Sequence, residues 1–185
     1  MARINTIAEH GGTYENCVVD ADTFKIDGTE VTATAAELNR AADASGRLVA
    51  AGATLSVTEA LHDGKTVLLD TAAGSICTLP AASGSGAKFK FVISTIATSN
   101  SHIIKVANAS DTMVGFALVA QDGGDTAVLF SAGGTDDTIT LNRTTTGSTQ
   151  KAEFFELQDT AANVWSVFGV TAATGTEATP FSATV

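Results

Sequence analysis

With 185 residues the chain has room for one domain, or for one domain and a long arm. Its 10 Lys and Arg stand against 20 Asp and Glu, a net charge of −10. That balance argues against nucleic acid as the main ligand, because phosphate binding needs clustered cations. Charged residues make up only 16% of the chain and hydrophobic ones 44%, so a core can form while the surface is left largely to Thr, Ser, Ala, Gly and Asn. Such short side chains lose little entropy when another surface covers them. The composition suits a protein partly buried by partners, and equally an ordinary extracellular β domain.

Residues 1 to about 30 carry scattered apolar side chains (Ile4, Ile7, Tyr14, Val18, Val19, Phe24 and Ile26) and are broken by Gly11-Gly12. A segment so irregular does not build a core alone; it reads as an arm that orders on a partner, with an edge strand as the alternative. The amino-terminal MARINTIAEHGG lacks the apolar stretch of a signal peptide, and no run approaches a membrane span. The expectation is a protein made in the cytoplasm without membrane association. Thr34-Ala35-Ala36-Glu37 is a capping box that opens a short helix, with Gly46 placed to end it.

From Arg47 the pattern turns to β. Expected strands are Arg47 to Ala51, Ala53 to Val57, Thr66 to Asp70, Ser75 to Leu79 and Lys88 to Ile93. They continue with His102 to Ala107, Thr112 to Ala120, Thr126 to Ser131, Thr138 to Leu141, and a hairpin of Ala152 to Gln158 with Asn163 to Val170. Phe89, Phe91 and Ile93 alternate with Lys88, Lys90 and Val92, as in a strand with one face on a core. Trp165, Val167 and Gly169 alternate likewise with Val164, Ser166 and Phe168. The phenylalanines read as core. Short strands at close spacing with Gly- and Asp-rich turns predict a mainly β fold. It is an antiparallel β-sandwich or jelly-roll-like body over residues 47–185, preceded over residues 1–46 by the arm and connector helix (about 34–45). No repeat appears at the periods of solenoids.

Little in the sequence resembles catalytic chemistry. Cys17 and Cys77 show no CxxC or Cys/His spacing, and Cys77 reads as a small buried apolar residue. His10, His62 and His102 fall in separate contexts with no HxH or HExxH spacing, so no metal centre or cofactor is expected. The acidic turns Asp122-Gly123-Gly124-Asp125 and Asp136-Asp137 lack the spacing of a calcium loop and read as solvated turn residues. Gly84-Ser85-Gly86 lacks the lysine and the strand-to-helix context of a phosphate loop. Glu153 and Glu156 straddle Phe154-Phe155 and read as an exposed strand face rather than a glycosidase pair.

Two stretches resemble bacteriophage virion proteins. GTEVTATAAELN (Gly28 to Asn39) is similar to a linker of phage head and tail structural proteins. The body from about Ala53 to Gly169 resembles the capsid decoration, or cement, proteins. The matching features are DGKTVLLDTAAGSICTLP (Asp63 to Pro80), Gly86 to Ile93, and Asn163-Val164-Trp165-Ser166-Val167. The resemblance implies a β-rich homotrimer on the outside of the capsid, bound to the major capsid protein, with no enzyme activity and no catalytic residues. Ile4, Ile7, Val18, Val19, Phe24 and Ile26 are the candidates for docking on the shell. The VTATAAELN string also occurs in fibre proteins. The alternative expectation is therefore a head-fibre or tail-fibre module that binds a host receptor glycan, with a small β-sandwich hydrolase a distant third.

Overall fold

A computed structural model describes residues 25–26, 29–42, 46–121, 123 and 126–185. The chain divides into two units, Met1–Asp43 and Ala44–Val185. In the first, β1 (Lys25–Ile26) pairs antiparallel with β2 (Thr29–Glu30), and α1 (Ala35–Ala42) follows. The capping box forms as its spacing predicts. The Thr34 N–H donates to the Glu37 carboxylate at 2.7 Å, and the Glu37 N–H donates back to the Thr34 hydroxyl at 3.3 Å.

The second unit is mainly β. In chain order it holds β3 (Leu48–Ala50), β4 (Thr54–Ser56), α2 (Glu59–His62), β5 (Thr66–Leu69), β6 (Ile76–Thr78), β7 (Lys88–Ile93) and β8 (His102–Lys105). Then come β9 (Thr112–Gln121), β10 (Ala127–Ser131), β11 (Thr138–Leu141), β12 (Phe154–Ala161), β13 (Val164–Ala173) and β14 (Phe181–Ser182). They form a seven-stranded sheet in the order β10-β9-β13-β12-β7-β5-β3 and a five-stranded sheet in the order β14-β11-β8-β6-β4. The two pack against each other as a β-sandwich-like body, and one hydrophobic cluster draws on both.

The sheets are mixed, not antiparallel throughout. From β3 to β8 each strand lies in the opposite sheet from the one before. The next strand of the same sheet arrives after a full turn of the chain and therefore runs parallel to its predecessor. Hence β3 pairs parallel with β5, β5 with β7, β4 with β6 and β6 with β8. This is the winding of a short solenoid. It leaves no period in the sequence because the turns differ in length: Leu48 pairs with Thr66 and Thr66 with Lys90, offsets of 18 and then 24 residues. From β9 on, the remaining strands join by antiparallel pairing, except that β13 lies parallel beside β9.

The alternation read from the sequence holds in the core. Phe89, Phe91 and Ile93, and likewise Trp165 and Val167, are buried. Trp165 packs on Phe89 with centroids 5.7 Å apart. Phe181 of β14, absent from the expected strands, meets Phe155 of the opposite sheet edge-to-face at 6.3 Å. The last hairpin is tighter than expected. β12 runs on to Ala161, which pairs with Val164, so Asn163 takes the turn at φ 63°. An asparagine side chain tolerates that left-handed conformation better than most.

Candidate functional site: an apolar sheet face

Four buried carboxylates fix the loops that frame the body. Asp159, at the end of β12, accepts from the N–H groups of Ser83 (2.9 Å), Gly84 (2.7 Å) and Ser85 (3.0 Å) and from both serine hydroxyls. The N–H groups of this glycine-serine loop, which lacks the lysine of a phosphate loop, are thus taken up by the protein's own anion. Burial alone would raise the Asp159 carboxyl, but these donors outweigh it and bring it down to about 2. Asp137 accepts from Thr184 N–H at 2.8 Å, Val185 N–H at 3.2 Å and the Thr138 hydroxyl at 2.8 Å, which pins the residues after β14. Burial opposes ionisation there too, and the donors again hold the group below its ordinary value. Glu153 gathers the N–H groups of Ser148, Thr149 and Gln150 at 2.6–2.8 Å. Asp111 accepts from Ala82 N–H and Asn108 Nδ2.

At two acids the structure departs from what the sequence suggests. Glu153 is buried rather than on an exposed strand face, and Asp137 is buried rather than solvated in a turn. In each case the backbone curls around the carboxylate and supplies the hydrogen bonds that a buried charge requires.

The histidines are also structural. The His102 ring is fully buried, accepts from Ser75 N–H at Nδ1 (3.0 Å) and donates from Nε2 to the Thr95 carbonyl (2.9 Å). Burial lowers its pKa despite the Thr95 bond. His62 caps its own helical turn, accepting from Thr58 N–H at 2.9 Å. Cys77 is fully buried, and its thiol is pushed up to about 12 by burial and by Asp70, so it is no nucleophile. Among the described residues no group of three His, Cys, Asp or Glu is arranged to hold a metal. No described helix is long and apolar enough to cross a membrane. His10, Cys17, Asp122 and Asp125 lie outside the described residues.

These groups give a pH prediction. His102 has a folded pKa below its ordinary 6.5. Below that pH the unfolded chain takes up a proton that the folded chain refuses, so stability begins to decline there. Asp159 and Asp137 have folded pKa values below 3.8. Their contribution is complete above about pH 4 and is lost as the pH falls towards 2. Calorimetric melting should show a shallow decline below about pH 6.5 and a steep one between about 4 and 2. Asp159→Asn should flatten the steep part. An unchanged acid limb in that variant rejects the assignment.

The outer face of the seven-stranded sheet differs from a solvated one. Pairing across the strands lines up Ala50, Leu68, Val92, Phe154, Val170, Leu118 and Leu129, one residue from each strand and all apolar. The next row contains Thr66, Lys90, Glu156, Phe168 and Phe116. Phe116 and Phe168, expected in the core, are each 49% exposed. They lie on the opposite pleat from Trp165 and Val167, and no described element of the second unit covers that side. Of the eleven exposed large hydrophobic side chains among the described residues, five lie on this face: Leu48, Val114, Phe116, Leu129 and Phe168. Beside the rows runs a groove of about 420 Å³, lined by Lys65, Lys88, Lys90, Glu156, Gln158 and Phe168 among others. Lys90 Nζ donates to Glu156 at 2.9 Å and stands 4.5 Å over the Phe154 ring.

Comparison of the chain with protein-family models, with curated proteins and with solved structures finds no match. Of the residues expected to dock on a partner, Ile4, Ile7, Val18, Val19 and Phe24 lie outside the described residues. Ile26 is described by its backbone alone, paired with Thr29. The apolar face was missed because each of its residues has an ordinary strand neighbour. Only the cross-strand register shows that seven of them align.

Proposed function

We propose that the protein is a bacteriophage virion structural protein, a capsid decoration protein that binds the outside of the major capsid protein shell and stabilises the head. The reading rests on the resemblance of Gly28 to Asn39 and Ala53 to Gly169, and the β-sandwich-like body agrees with it. The observation that carries it furthest is the exposed apolar sheet face on a chain with only 16% charged residues. Large apolar patches on an otherwise polar surface mark interaction sites, and the described residues offer no catalytic cluster to compete with that role.

The mechanism is linkage. A protein that bridges neighbouring shell subunits stabilises the shell by its binding free energy, which must be lost before those subunits part. When several copies are joined, each docking segment raises the effective concentration of the others. Ile4, Ile7, Val18, Val19, Phe24 and Ile26 are the anchoring side chains in this scheme, adding strands to the shell.

Co-sedimentation with undecorated phage heads tests the proposal. The full-length chain should bind saturably. Ile4→Ala with Ile7→Ala should weaken binding at least about tenfold, the effect of losing roughly 1.4 kcal/mol. Absence of binding by the full-length chain overturns the decoration reading and directs attention to a glycan screen for the fibre role. Unchanged binding by the double variant overturns the anchoring assignment alone.

A further inference from the structure

The two sheets have four edges among the described strands: β3, β4, β14 and β10. Three are short. β3 and β4 have three residues each and β14 has two. Short edge strands are one way proteins prevent unwanted strand addition. β10 is the exception. It is a five-residue edge, Ala127-Val128-Leu129-Phe130-Ser131, with no charge and no proline. Leu129 is 58% exposed and Val128 40%.

The backbone of β10 shows what can cover it. The Gln121 N–H donates to the Thr126 carbonyl, and the Ala132 N–H donates to the Gly115 carbonyl. With the β9–β10 register, this alternation directs Val128 and Phe130 towards β9. It leaves the N–H and C=O groups of Ala127, Leu129 and Ser131 facing away from the sheet. A second extended backbone can pair with the whole of such a row at once.

We propose that β10 pairs with β10 of a second copy, antiparallel, about a two-fold axis at Leu129. The strand is self-complementary in that arrangement. Leu129 exchanges both hydrogen bonds with its counterpart, and Ala127 meets Ser131 of the second copy. Val128 faces Phe130 of that copy. Each chain carries a net charge of −10, so two copies repel except where contact is uncharged, and this edge is. Leu129 also ends the apolar row on the outer face, so pairing continues that row from one copy into the next. The contact consumes β10 on both sides, and the far edge of the sheet is the short β3. Assembly therefore closes at two rather than growing into a fibre. The contact is two-fold, whereas the resemblance to decoration proteins implies a homotrimer, and it does not depend on the functional proposal.

The test is the mass in solution, by light scattering after gel filtration, of the full-length chain and of Leu129→Lys. The expected result is twice the 18.7 kDa protomer mass for the wild type. The variant, which sets two lysines side by side on the axis, should dissociate at least about a hundredfold more readily. Circular dichroism confirms that the variant is folded, as expected for an exposed position. A second variant reads the geometry directly. Leu129→Cys in a Cys17→Ser background should cross-link between copies on mild oxidation, because paired Cα atoms about 5.5 Å apart lie within disulfide range. A monomer at every concentration overturns the proposal. So does a trimer or dimer that Leu129→Lys leaves intact, or a failure of the Leu129→Cys variant to cross-link in an assembled protein.

Discussion

Gly115→Ala is expected to destabilise the body by at least about 4 kcal/mol, lowering the melting temperature by more than about 10 °C for a chain of this size. Gly115 sits in β9 opposite Val167 of β13, with φ at 142°. A side chain there is strained by the backbone conformation alone, at about 1–3 kcal/mol. Its Cβ would also run into the Val167 carbonyl oxygen. That atom belongs to a neighbouring backbone and cannot rotate away, so the added carbon must push β9 off β13. The control is Gly64→Ala. Gly64 also has positive φ, at 70°, but has nothing within 4 Å of the added carbon. It should lose only about 1 kcal/mol. Equal melting temperatures for the two variants would mean that the β9–β13 register is wrong.

Trp165→Ala should cost about 3–5 kcal/mol, the range for a large aromatic removed from a packed core. The side chain is fully buried against Phe89, between strands too tightly paired to collapse into the space. Trp165→Phe should cost much less, roughly 1–2 kcal/mol, because the ring that packs on Phe89 remains. The indole Nε1–H has no hydrogen-bond partner among the described residues, so its removal returns part of the packing loss. Chemical denaturation followed by circular dichroism measures both. Similar losses for the two variants would overturn the view that ring contact with Phe89 holds the site together.

The strand positions were legible because each rests on local information. Alternation in Lys88–Ile93 and in Val164 to Gly169 showed which face is buried. Pairing direction was not legible. Whether β5 runs parallel or antiparallel to β7 depends on which sheet receives β6, and that is decided by packing between residues far apart in sequence. The acids were misread for a related reason. Glu153 looks exposed beside Lys151 and Ala152 until the loop from Ser148 to Gln150 closes over it. The apolar row was invisible because it runs across the strands rather than along any one of them. Phe116 and Phe168 became a surface feature only once β9 and β13 were placed side by side.

The parallel pairing of β9 with β13 also constrains the order of events on a growing chain. The coil from β3 to β8 can assemble as it emerges, since each strand meets a neighbour made shortly before. β9 cannot. Its partner begins at Val164, paired with Thr112, so some fifty residues must be made before the two meet. Until then β9 and β10 form a hairpin with no place in the sheet, and β12 has only β7 beside it. The seven-stranded sheet, and with it the apolar row, is therefore completed last and in one step, when β13 enters between two strands already made. A nascent chain does not present the whole apolar row until β13 has left the ribosome.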